Sequence, residues 1–199
     1  SEGNGTTTVG GVPDITLSSP NPAVTAGNIV QGSTNNAIYR FDLAVTTADA
    51  TLNGVTVTTA GTYAATDITN FKCWYSADAT FSPGTDVLLS TKVAGLGAGA
   101  QVFPSFTNQS ILSGSTGYIF ISADLPCAAV LANNISVDAI TTADISFVSG
   151  NKSGTAFAGG LQTIIAATPN DVTVPAASVA NASSSVSWTN PTGCYDEVL

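Results

Sequence analysis

Large apolar residues alternate with polar or small ones along much of this chain. The alternation is regular over Tyr39–Val45, recurs at Val55–Val57 between threonines, and recurs again over Phe71–Tyr75. A period of two places successive side chains on opposite faces of an extended backbone. Each of these segments therefore predicts a β-strand with one buried face.

Further segments of the same kind follow, separated by turn signals such as Asn53-Gly54 and Ser82-Pro83-Gly84. They are Asp86–Val93, Gln101–Thr107, Gly117–Leu125, Asn134–Ile140, Ile145–Ser149 and Leu161–Ile165. The Ala-rich stretch Pro126–Leu131 is the one place where a helical turn is expected. Short strands with turns between them favour a sandwich over βαβ units. We predict an all-β fold, an immunoglobulin-like or jelly-roll-like β-sandwich.

The pattern divides the chain into three parts. Residues 1–19 form an extended N-terminal arm whose apolar positions are Val9, Val12, Ile15 and Leu17. Residues 20–167 form the main sandwich. Residues 168–199 contain a linker and the strands of an incomplete β module, which ends at Leu199 within an alternating run. The arm cannot offset its ordering entropy alone, so we expect it to pair with a sheet or to stay disordered.

Charge removes several classes of function. Charged residues make up 9% of the chain, and four basic residues against 13 acidic ones give a net charge of -9. Nucleic-acid binding needs clustered Lys and Arg, so we expect no nucleic-acid partner. No apolar run reaches the roughly 18 residues of a membrane span, so we expect no membrane insertion. The start at Ser1, without Met, is expected for an exported chain whose signal has been removed.

The residues usual in catalysis are missing or badly placed. The chain has no His, which serine and cysteine nucleophiles usually need as a base. Glu2 and Glu197 lie near the two ends, and Asp124, Asp138 and Asp144 are interpreted as solvated turn residues near strand ends. We predict that the protein is not an enzyme.

Two segments resemble ligand sites. Gly95–Ala100 fits the dinucleotide pattern G-x-G-x-x-A, but a strand is expected after it instead of the helix that pattern requires. Asp78 and Asp86 flank a loop that could hold Ca²⁺, although its spacing is not that of an EF-hand and Phe81 suggests a packing anchor. We expect no cofactor and no metal.

Three cysteines are present, Cys73, Cys127 and Cys194. Cys73 and Cys127 lie in or beside predicted core strands, so they are the candidate disulfide pair, with Cys194 left over. The alternative is two small buried thiols. The sequence leaves the state of Cys194 open.

Two features of the sequence could involve glycans: glycosylation sequons and an aromatic residue that could bind a sugar. Five asparagines stand in N-x-S/T sequons and are candidate glycosylation sites: Asn4, Asn108, Asn134, Asn151 and Asn181. Trp74, on the second face of its strand, could stack on a bound sugar or could cover that side of the sheet.

Three stretches resemble a β-sandwich repeat of large secreted surface proteins of the Bacteroidetes. They are NIVQGSTNNAIYRFDLAV, GTYAATDITNFKCWYSADATFSPGTDVLLS and STGYIFISADL, within Asp14–Ile165. The resemblance implies surface display or adhesion and brings no catalytic residues. The tail SVSWTNPTGCYDEVL resembles the opening strands of a fibronectin type III module, with Trp188 as its core tryptophan.

A spare strand at one end and an unfinished sandwich at the other suggest strand donation between copies. We therefore expect a structural subunit of an extracellular, pilus-like filament. The anchors of the donated strand would be Val9 and Val12, or Ile15 and Leu17. Two alternatives stay open. Asp14–Ser19 could be the first strand of its own sandwich, and the chain could be an adhesive or glycan-binding module of a larger secreted surface protein.

Overall fold

The computed structural model describes residues 11–20, 23–167 and Cys194. These residues form an all-β structure with one short 3₁₀ helix at Ala65–Asp67. The strands are β1 (Asp14–Ser18), β2 (Gly27–Val30), β3 (Asn36–Thr46), β4 (Ala50–Gly61), β5 (Asn70–Ser76), β6 (Val87–Lys92), β7 (Gly99–Val102), β8 (Gln109–Ile111), β9 (Thr116–Asp124), β10 (Asn134–Val137), β11 (Ile140–Thr141), β12 (Ile145–Phe147), β13 (Asn151–Ala156) and β14 (Gln162–Ile165).

The strands form two sheets. The first has the order β11-β13-β1-β3-β9-β5-β6, and the second runs β12-β4-β10-β14-β2, with β7 and β8 also paired to β4. Most neighbours are antiparallel, but β1 pairs with β13 and β2 pairs with β14 in parallel. The predicted all-β sandwich is confirmed.

The alternating side chains build the core. Phe41 and Leu43 of β3, Phe71 and Cys73 of β5, and Ile119 of β9 are fully buried in one apolar cluster. Burying a side chain of the Leu or Phe type contributes about 1.5–3 kcal/mol. Because β3 and β9 are long neighbours in the middle of the first sheet, they hold the centre of this cluster.

The N-terminal strand belongs to its own sandwich. Asp14–Ser18 pairs with β3 on one side and with β13 on the other, and Ile15 and Leu17 are each 1% exposed. The prediction of a separate arm at 1–19, with Ile15 and Leu17 as donated anchors, is therefore wrong here, because both ladder edges and both side chains are satisfied within the chain. Val12 is exposed, and Val9 lies outside the described residues.

Three local predictions also fail. The chain does not turn at Asn53-Gly54, because β4 continues through both residues. The pairing of β4 with β12 shifts its register there, so that Asn53 has no partner in β12. The strand predicted over Gln101–Thr107 ends at Val102, shortly before Pro104. Pro126–Leu131 forms hydrogen-bonded turns instead of a helical turn.

The third predicted part of the chain is described only at Cys194. The linker and the fibronectin-like strands expected within 168–199 otherwise lie outside the described residues. Among the helices of the described part, none is long and apolar enough to cross a membrane.

Candidate functional site

Within the described residues, the first and last strands of each sheet lie side by side and run parallel. In the first sheet, Ile15 of β1 is the register partner of Lys152 in β13; in the second, Ile29 of β2 is the partner of Ile164 in β14. The chain therefore enters and leaves each sheet through one parallel pair. We call these two pairs, β1–β13 and β2–β14, the terminal clamp.

Close backbone contact is built into the clamp by glycine. Gly154 of β13 has a φ of 85°, and a Cβ at this position would overlap the backbone of Leu17. Gly160, in the connection to β14, lies equally close to Ala26 and Thr25. A residue with a Cβ at position 154 or 160 would push the neighbouring backbone away.

A disulfide joins the end of β9 to the C-terminal region. Cys127 and Cys194 are bonded, with 4.8 Å between their Cα atoms, and Cys73 is a free, buried thiol. The predicted Cys73–Cys127 pair is therefore wrong: Cys73 points into the core between the sheets, whereas Cys127 lies beyond β9. Gly32, with a φ of 69°, packs against both bonded sulfurs.

The outer face of the first sheet carries a second, smaller buried cluster. Trp74 and Phe120 lie on neighbouring strands, and Phe81 from the loop 77–86 packs on both, with ring centroids 5.7 Å and 5.1 Å away. Trp74 is 6% exposed and donates its indole N–H to Ser122 Oγ at 2.8 Å. Trp74 therefore covers this side of the sheet and is not available to stack on a sugar, while the interpretation of Phe81 as a packing anchor is confirmed.

A buried cation lies in the same cluster. Arg40 makes a two-pronged ion pair with Asp42, with Nε–Oδ1 and Nη2–Oδ2 distances of 2.8 Å. Its guanidinium also lies over the ring of Tyr118 and donates to the Ala79 carbonyl. Burial raises the pKa of Asp42, and the bonds from Arg40 oppose that rise.

Beside this cluster, Lys72, Asp124 and Asn35 form a compact polar group. Lys72 Nζ lies 2.6 Å from Asp124 Oδ2 and 2.8 Å from Asn35 Oδ1. Asp124 Oδ1 accepts the backbone N–H of Asn35 at 2.7 Å, and Oδ2 accepts from Asn70 Nδ2 at 3.0 Å. Burial alone would raise the pKa of Asp124, but these hydrogen bonds and the lysine charge outweigh it and hold the pKa below its ordinary value.

The expectation of a solvated Asp124 is thus wrong, because its side chain is 6% exposed and is surrounded by donors. Asp138 is exposed, and Asp144 caps its own turn by accepting from the Thr141 N–H. Sequence reasoning missed Lys72 and Asn35, which lie 37 residues apart and belong to no motif.

Asp67 is fully buried and ties down the loop after β9. Its carboxylate accepts from the N–H of Val130 at 2.7 Å and from Ala64 N–H and Asn133 Nδ2 at 2.8 Å each. Burial alone would raise the pKa of Asp67, but the three donors together outweigh it and hold the pKa below its ordinary value.

The loop between Asp78 and Asp86, a possible Ca²⁺ site by sequence, uses its carboxylates to accept hydrogen bonds from its own backbone. Asp78 accepts the N–H of Thr80 at 2.8 Å, and Asp86 accepts the N–H of Ser82 at 2.7 Å. Across residues 11–20, 23–167 and 194, no group of three or more His, Cys, Asp or Glu is placed to hold a metal ion. The segment Gly95–Ala100 leads into strand β7, as expected.

The sequon asparagines differ in their surroundings. Asn108 is exposed between β7 and β8, and Asn151 is exposed but donates to Asp14 Oδ1 at 3.0 Å. Asn134 is half-buried and accepts from the Thr62 N–H. Asn4 and Asn181 lie outside the described residues.

Comparisons with known proteins identify no family for this chain. No family model matches it, and no curated protein matches it. A chain in the crystal structure of a complex between a CaDoc0917 variant and CaCohA2 at pH 5.5 is similar over 76% of this chain and 99% of that one. The identity is 14% and the TM-score is 0.35, so no conclusion about this chain rests on it.

Proposed function

We propose that this chain is a structural subunit of an extracellular bacterial filament, assembled from identical copies and built to carry tension. The observation that carries the proposal is the terminal clamp. A pull on Asp14 loads β1 at its start, and an opposite pull on Ile165 loads β14 at its end. Because the paired strands are parallel, these pulls slide them along each other, and the bonds of each ladder share the load.

The disulfide supports an extracellular location. Cys127 and Cys194 are bonded, and disulfides persist in oxidising compartments such as the cell exterior. The net charge of -9 keeps the surface away from nucleic acid and other anionic partners. Both properties suit a secreted, non-enzymatic structural protein.

Strand addition is the route by which copies join in this proposal. β2 is the end strand of the second sheet in the described part of the chain. The outer side of an end strand offers N–H and C=O groups to a strand from another molecule. Asp14–Ser18 is not the donor, since it is committed to its own sheet.

The residue that mainly supported the adhesive, glycan-binding alternative, Trp74, is buried. Trp74 is buried under Phe81, so the described residues offer no aromatic platform at that position.

Negative-stain electron microscopy of the purified full chain tests the assembly. Fibres with a regular repeat are expected, and compact particles at every protein concentration would contradict the filament.

Single-molecule pulling tests the load-bearing role separately. Handles at Val12 and Ala166 load the terminal clamp in shear, whereas handles at Thr69 and Val93, at the open end of the β5–β6 hairpin, separate its two strands one bond at a time. The first geometry is expected to need the larger rupture force at the same loading rate. Equal forces in the two geometries would show that the clamp bears no special load.

A further inference from the structure

The group formed by Lys72, Asn35 and Asp124 contains the parts of a covalent cross-link. An amine, a carboxamide and a carboxyl group meet within hydrogen-bond distance, with Lys72 Nζ 2.8 Å from Asn35 Oδ1 and 2.6 Å from Asp124 Oδ2. The side chains of Lys72 and Asp124 are 17% and 6% exposed, so little water competes for the amine.

We propose that Lys72 and Asn35 join in an intramolecular isopeptide bond, with Asp124 as the catalytic acid–base. Asp124 takes a proton from the lysine ammonium, and the freed amine attacks Asn35 Cγ. The protonated Asp124 then gives a proton to the departing amide nitrogen. The Cγ–Nδ2 bond breaks, the carbonyl re-forms, and the lysine nitrogen remains on Cγ. One ammonia leaves, which takes up the surplus proton as ammonium, and Asp124 returns to its carboxylate.

Placement replaces the activation that an amide normally needs. Holding two reacting groups side by side raises their effective concentration by several orders of magnitude, about 10⁵ M or more in the best intramolecular cases. The proton transfer from lysine to a carboxylate is unfavourable. It has to succeed only once in the life of each molecule, so a slow step is sufficient.

Asp124 is held in the position that this role requires. One of its oxygens contacts the lysine amine, and the other accepts the backbone N–H of Asn35, so a single carboxylate positions both reactants. Asn70 donates to the same carboxylate and fixes its orientation. A plain surface ion pair would need neither the asparagine nor these extra donors.

Lys152 shows the contrast. Its amine contacts the backbone carbonyls of Thr142 and Ile145, so it faces no side-chain amide or carboxylate in the described structure. It serves as the matched control.

The bond would staple three strands of the first sheet. Lys72 lies on β5, Asp124 ends β9, and Asn35 directly precedes β3; β9 runs between the other two. This inference does not depend on filament assembly, because the cross-link forms within one chain.

Mass spectrometry of the full chain tests the proposal. The folded protein is expected to weigh less than its sequence by one ammonia, after allowance for the disulfide. Trypsin should then fail to cut after Lys72 and should release residues 1–40 joined to residues 41–92. The linked peptide is required, because cyclisation at Asn53-Gly54 also releases ammonia.

Three variants complete the test. Lys72→Arg and Asn35→Ala should each abolish the linked peptide and restore tryptic cleavage after residue 72. Lys152→Arg should keep the linked peptide. A wild-type protein with no linked peptide overturns the proposal even if every variant misfolds. A link between Lys72 and Asp124 with loss of water would also overturn it, because Asn35 would not be the acceptor.

Discussion

Gly154 of β13 and Leu17 of β1 are register partners in a parallel ladder, and a Cβ on Gly154 would overlap the Leu17 carbonyl. Gly154 also has a φ of 85°, a conformation that side chains disfavour. Glycine is therefore needed here for two independent reasons, one conformational and one steric.

Replacing Gly154 by alanine should weaken the terminal clamp. Gly114 offers the matched control, since its φ is 83° and no heavy atom lies within 4 Å of its Cβ position. We expect Gly114→Ala to lower the free energy of unfolding by about 1–2 kcal/mol through backbone conformation alone. Gly154→Ala should cost a further 1–3 kcal/mol, roughly the penalty of overpacking. Urea denaturation measures both, and equal losses would contradict a steric role for Gly154.

The buried carboxylate of Asp67 should make the fold sensitive to acid. Its pKa is lowered in the folded protein, so its contribution is complete above the unfolded value of about 3.9 and is lost as pH falls through the folded value. Asp67→Asn should lower the free energy of unfolding at pH 7 by about 1–3 kcal/mol, because fewer of its three donors stay paired.

The same variant should flatten the decline in stability between pH 5 and pH 3 relative to wild type, as measured by urea denaturation at each pH. Asp138→Asn, at an exposed carboxylate, is the control and should reproduce the wild-type decline. A decline as steep in Asp67→Asn as in wild type would assign the acid sensitivity elsewhere.

Removing the disulfide should destabilise the sandwich. Cys127 and Cys194 are 67 residues apart, and closing a loop of that size stabilises a fold by roughly 4 kcal/mol in the chain-entropy account. The double variant Cys127→Ser/Cys194→Ser should lose about that amount in urea denaturation. Reductant should lower the stability of wild type to a similar level and should leave the double variant unchanged; a wild type indifferent to reductant would contradict the pairing.

The free thiol of Cys73 should not react with thiol reagents in the folded protein. Cys73 is fully buried, and burial raises the pKa of its thiol, so the reactive thiolate is scarce and shielded. We expect Ellman's reagent to detect no rapidly reacting thiol in the native oxidised protein and one after denaturation. A Cys73→Ala sample should show none in either condition, and rapid labelling of native wild type would contradict the burial.

The alternation of side chains was sufficient to predict the central strands. β3, β5 and β9 carry large apolar residues at every second position, and each was predicted close to its observed limits. β13 was missed because five of its six residues are exposed, so no apolar face marks it. Its position follows from the parallel ladder with β1 and from Gly154, which are tertiary relationships.

The polar group around Asp124 could not be predicted for a similar reason. Asn35, Lys72 and Asp124 come from three separate stretches of chain, and the order of strands in the sheet brings them together. The predicted cysteine pair is wrong because the sequence favours two cysteines in or beside predicted core strands. The disulfide instead reaches a residue far along the chain, and the buried position of Cys73 leaves it no partner in the described structure.

The disulfide between Cys127 and Cys194 also determines how far the molecule can lengthen under tension. A pull that enters beyond Cys194 crosses directly to Cys127, so residues 128–193, with β13 and β14 of the terminal clamp, bear no load from that end while the bond is intact. The clamp bears tension that enters within residues 128–193, or tension from the C-terminal end once the bond is reduced. The two cysteines are 67 residues apart, and an extended chain spans at most about 3.3–3.6 Å per residue. The disulfide therefore prevents roughly 220–240 Å of chain from extending. Oxidation would therefore make a short, stiff link, and reduction would release a long extension from the same chain.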